Sequence, residues 1–116
     1  MSEYSPDSWV VLKVKAGKGT FPFYKVLAGW SGGYLDGDSW RINSGITLVF
    51  DREDEIHFHG ESGSLYRCPK GAYGLKMSTA GVYKNLCLTH SKMSFMISKN
   101  RIFKVTSWWN AGVQVI

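Results

Sequence analysis

The most restrictive feature of this chain is a recurring alternation of apolar and polar side chains, in runs too short for a typical helix. From Trp9 to Lys15, Val10, Leu12 and Val14 fall on one side, and Val11, Lys13 and Lys15 on the other. Side chains along a strand repeat every two residues, so this run reads as a half-buried β-strand. Further strands are read at Phe21–Ala28, Ile46–Phe50, Glu55–His59, Ser64–Cys68, Met93–Ile97 and Ile102–Trp108, with a last edge strand at Val113–Ile116. Ala16–Thr20, Asp51–Asp54, Gly60–Gly63 and Ser98–Asn100 are the turns between neighbours.

One segment breaks the period. Ser78 or Thr79 is placed to cap a short helix running to about Leu88, with Val82 and Leu86 four apart on its buried side. Gly81 weakens that helix by about 1 kcal/mol. Several short strands at turn spacings of about 8–12 residues predict a mainly β (α+β) domain over 8–116. The expected form is a single compact antiparallel sheet, strongly bent or barrel-like, with one short helix near 78–88 laid over it. Residues 1–7 read as a flexible arm.

At 44% apolar and 15% aromatic content the chain has ample material for a core, which excludes wholesale disorder. The net charge of +5 suits an anionic partner such as nucleic acid, a nucleotide or an acidic protein surface. Cys68 and Cys87 form no disulfide framework. No apolar run approaches the roughly 18 residues of a membrane helix. A cytoplasmic protein with no membrane role is therefore expected.

The stretch from Gly29 to Gly45, GWSGGYLDGDSWRINSG, stands apart. It is long for a connection in a compact domain, and such connections often carry function. Trp30, Tyr34 and Trp40 offer faces on which a base stacks, Arg41 offers a fork for phosphate or carboxylate, and Asn43 can read an amide or base edge. Alternatively, the aromatics cap the end of a barrel and the glycines turn the chain. Ser39–Asn43 reads as a short strand, on which Trp40 and Ile42 share one side, Arg41 and Asn43 the other. Trp40 is then expected in the core and Arg41 with Asn43 at the surface.

Other constellations fall short on spacing. Ala16-Gly17-Lys18-Gly19-Thr20 lacks the order of a phosphate loop and joins two strands. Asp36, Asp38, Asp51 and Asp54 match no calcium loop. His57 and His59, two apart on a strand, are weak metal candidates with Cys68 or His90 as a third ligand. Pairing His59 with Ser64 would place Glu55, His57, His59, Ser64, Tyr66 and Cys68 on one face. Trp108-Trp109 would put one indole in the core and leave the other more exposed. No catalytic residues are nominated and no cofactor is implied, because no convergent acid–base pair or nucleophile is present.

The run Tyr24–Tyr34, YKVLAGWSGGY, followed by Gly37–Ile46, GDSWRINSGI, resembles a group of small uncharacterised proteins of tailed bacteriophages. The resemblance implies a small accessory protein made inside an infected bacterium and acting by binding, including against host or defence components. Three readings follow. The first is capture of an anionic ligand, a nucleotide signal or nucleic acid, by Trp30, Tyr34, Trp40, Arg41 and Asn43 with Arg67. The second is a protein-binding inhibitor that docks by a sheet edge or exposed aromatics. The third is a small metal-dependent enzyme using His57 and His59. A homodimer is compatible with each.

Overall fold

The computed structural model describes residues 2–17, 21–32, 39–89, 93–98, 108 and 113–115. Among them run strands β1 (Glu3–Tyr4), β2 (Ser8–Lys15), β3 (Phe23–Trp30), β4 (Ser39–Ile42), β5 (Ile46–Asp51), β6 (Glu55–Gly60), β7 (Leu65–Pro69), β8 (Ser94–Ile97) and β9 (Gln114–Val115), and one helix, α1 (Met77–Thr89). The mainly β architecture with one helix is thus as expected. The strands divide between two sheets, ordered β1-β7-β6-β5-β9 and β4-β3-β2-β8, and do not close into a barrel. Neighbours are antiparallel except β1–β7 and β5–β9, which are parallel.

The division follows from β2. Its run Trp9-Val10-Val11-Leu12 is apolar on both sides and wholly buried. Trp9 and Val11, with Val26 and Ala28 of β3, pack against Val49, Ile56, Phe58, Tyr66 and Cys68 of the other sheet. Val10, Leu12, Val14 and Leu27 face the opposite way and are covered by Val82, Tyr83 and Leu86 of α1. A strand with two apolar sides needs a layer on each. The result is sheet, sheet, helix.

Trp9 anchors the inner layer. Its indole donates to the Pro69 carbonyl at 2.6 Å and packs on Phe58 and Tyr73. Helix α1 starts with the hydroxyl of Thr79 accepting from the Lys76 amide at 3.2 Å, which satisfies a donor the helix cannot.

The N-terminal segment read as an arm is tied down instead. Glu3 and Tyr4 pair with Leu65 and Tyr66, and the Leu65 amide donates to Ser2. The β6–β7 hairpin also differs from expectation by one residue. His59 lies opposite Leu65 and His57 opposite Arg67. The loop holds three residues between Gly60 and Ser64, whose backbones bond at 2.9 Å, with Gly63 at φ +91°. Glycine admits that left-handed backbone, and a loop of three residues in place of the expected four moves the register by one. A slip of one exchanges the two sides of a strand. Tyr66 and Cys68 therefore enter the core, while Arg67 joins Glu55 and His57 outside.

The strand expected at Ile102–Trp108 lies outside the described residues save for Trp108, which is buried and packed on Tyr24 and Phe58. Trp109 also lies outside them.

Candidate functional site

Strand β4 is an edge of the four-stranded sheet, paired on one side with β3. Its register decides where the expected site residues go. Arg41 pairs with Ala28, so it projects to the inner side, between the sheets. There its guanidinium carbon lies 4.4 Å from the ring centre of Tyr4, within cation–π range. Tyr4 also contacts Trp30 edge-on at 6.2 Å and Tyr66 at 5.0 Å. The Trp30 indole donates to the Ser5 carbonyl at 2.9 Å, and the Ser31 amide to Asp7 at 2.7 Å. Four residues thus converge on one corner: Tyr4, Trp30, Arg41 and Tyr66. Burial pushes the Tyr66 phenol up to about 12, against the opposing pull of Arg41. The phenol stays neutral at physiological pH.

Trp40 points the other way. Expected in the core, it is 52% exposed. Its cross-strand partner is Gly29, which in turn faces Ser8. This row of the sheet holds no bulky side chain against which the indole can bury. Trp40 and Arg41 are thus adjacent in sequence and on opposite sides of one edge strand.

Asn43, expected at the surface, is 3% exposed. Its side-chain oxygen accepts from the Val26 amide at 2.8 Å, and its own amide donates to the Val26 carbonyl at 3.1 Å. It continues the β3 ladder where β4 ends, so Asn43 is a structural residue and not a surface ligand contact. Its Nδ2 has no partner among the described residues.

Arg67 is not a free cation either. It pairs with Glu3 at 3.1 Å and Glu55 at 3.2 Å, and Glu55 accepts from His57 at 3.0 Å. Bonding from His57, then Arg67, holds the Glu55 carboxyl below its ordinary value. The ion pairs fasten β1 to β7 and leave Arg67 little charge for a ligand. His59 stacks on Phe50 at 5.1 Å. Cys68 is buried on the far side of the sheet from both histidines, so it is no third ligand to them. No cluster of three potential metal ligands occurs among the described residues. Tyr34 and His90 lie outside the described residues.

Among the described residues Arg41 has no carboxylate partner. Tyr4, which holds it, was missed because it sits in a segment read as an arm. Its only sequence signal is a lone aromatic among polar residues. No family model matches this chain, and no curated protein or solved structure matches it.

Proposed function

We propose that this protein acts by binding, and that the edge formed by Trp40 and Arg41 captures an anionic ligand of the nucleotide or nucleic-acid class. The observation that carries this is Arg41: a guanidinium placed over the Tyr4 ring, with no carboxylate partner among the described residues, next to an exposed indole. An aromatic platform fixes the orientation of the fork and leaves its donors for phosphate. Trp40 supplies a stacking face, worth about 1–3 kcal/mol per base. Because the two residues lie on opposite sides of β4, an extended strand passing over the edge engages both more readily than a single nucleotide. In the setting the phage resemblance implies, such binding would sequester a host or defence nucleic acid. Oligonucleotide affinity at low salt, compared between the native chain and Trp40→Ala with Arg41→Ala, tests it.

A second reading is favoured by the same strand. The outer edge of β4 is unpaired among the described residues. An unpaired edge accepts a strand from a partner protein. A stoichiometric complex with one host protein, lost when a proline replaces Arg41, would place that reading first.

A further inference from the structure

The end of the β2–β3 hairpin remote from Trp40 carries exposed aromatics among lysines that the reading above does not use. Phe21 is 93% exposed and Phe23 38% exposed. Phe23 and Lys25 alternate on the outer side of β3, the side that α1 covers further along at Leu27. The Lys25 ammonium lies 5.7 Å from the Phe23 ring centre. Lys13 and Lys15 lie at the same end of β2 on the opposite side of the sheet, and none of the three lysines has a carboxylate partner among the described residues.

We infer that Phe21, Phe23 and Lys25 form a second platform for single-stranded nucleic acid, occupied by the same strand that Trp40 and Arg41 hold. This rests on the anionic-ligand reading and names its ligand. Stacking faces with a cation at phosphate distance are the elements of sequence-tolerant single-strand binding. Trp40 lies in the row of Gly29, six residues along β3 from Phe23, which is about 20 Å. A nucleotide reaches one platform. A strand of several nucleotides reaches both, and linkage then raises its affinity without new contacts. An anionic membrane is the competing ligand, and the test separates the two: exposed Met96 pairs with Lys13 on the opposite side of the sheet, whereas exposed Leu88 belongs to α1, on the side of Phe23.

The test is fluorescence anisotropy with a labelled thymidylate dodecamer, alongside vesicles rich in anionic lipid. Replacing Phe21 and Phe23 by Ala is expected to weaken dodecamer binding roughly 5- to 100-fold. Lys25→Ala is expected to reduce the slope of log affinity against log salt by about 0.7. Phe21 is almost fully exposed, so its variant alone controls for folding, checked by circular dichroism. If the Phe21, Phe23 and Lys25 variants bind like the native chain while Trp40→Ala and Arg41→Ala weaken it, the second platform is overturned and the Arg41 reading stands. If the native chain binds no oligonucleotide, both fall. Loss of vesicle binding with dodecamer binding intact would overturn the platform in favour of a membrane surface.

Discussion

Asn43 and Trp40 lie three residues apart and do opposite kinds of work. Asn43 satisfies the buried amide of Val26 where β4 runs out. Replacing it with Ala leaves that donor without a partner, which costs about 1–3 kcal/mol. Trp40→Ala removes an exposed ring and is expected to change stability by less than about 0.5 kcal/mol. Urea denaturation of the two variants measures the contrast. Neither position was assigned to its correct environment from alternation alone. The period along β4 correctly pairs Trp40 with Ile42 and Arg41 with Asn43. How deeply each residue is buried depends on what lies across the sheet, and Gly29 and Ser8 are invisible in the sequence of β4 itself. The cysteines separate at the same scale. Cys68 is fully buried, which pushes its thiol well above the ordinary value, whereas Cys87 is exposed. Since the thiolate is the reactive form, a maleimide should label Cys87 in the native protein and reach Cys68 only on unfolding. Mass spectrometry of the labelled peptides reads the outcome.

At the scale of elements, the strands from β2 to β8 were legible because each carries its own period, whereas the two residues of β1 carry none. The helix was legible because Val82 and Leu86 do face the sheet. Register was not, since a single loop residue decides it. Gly63 is where that decision is made. A side chain there meets no atom within 4 Å, so any cost comes from its backbone at φ +91°. Gly63→Val is expected to lose about 1–2 kcal/mol. Gly71→Ala, also in open space but without that backbone, should lose far less. Thermal melts of the two variants separate backbone strain from crowding. If both melt alike, the hairpin register does not depend on Gly63. The consequence for function is direct: this register places Arg67 beside Glu55 and Glu3, withdrawing it from the ligand set.

For the whole molecule, one buried layer joins the two sheets and a second joins sheet to helix. The strand pattern looks the same whether strands form one bent sheet or two packed ones, so alternation could not distinguish them. The apolar run Trp9–Leu12 was the available signal, because burial on both sides demands two covering layers. The inner layer also holds Cys68 and Tyr66 in neutral form, both raised chiefly by burial. The unfolded chain ionises them near the ordinary 9.0 and 10.0. Their contribution is therefore complete below about pH 9 and lost as the pH rises towards the folded-state values. The urea midpoint should fall between about pH 8 and pH 11. The onset should move upward in Cys68→Ala, which leaves Tyr66, Tyr73 and Tyr83, each also raised chiefly by burial, as contributors.

The charge of +5 and a guanidinium on Arg41 that meets no carboxylate among the described residues make the central claim one about an anion. Its most direct measurement is the affinity of a labelled single-stranded oligonucleotide as a function of salt, for the native chain and for Arg41→Ala combined with Trp40→Ala. The account predicts salt-sensitive binding by the native chain, at least tenfold weaker in the variant with a shallower salt dependence. Binding that is absent at low salt, or identical in the two proteins, would contradict it.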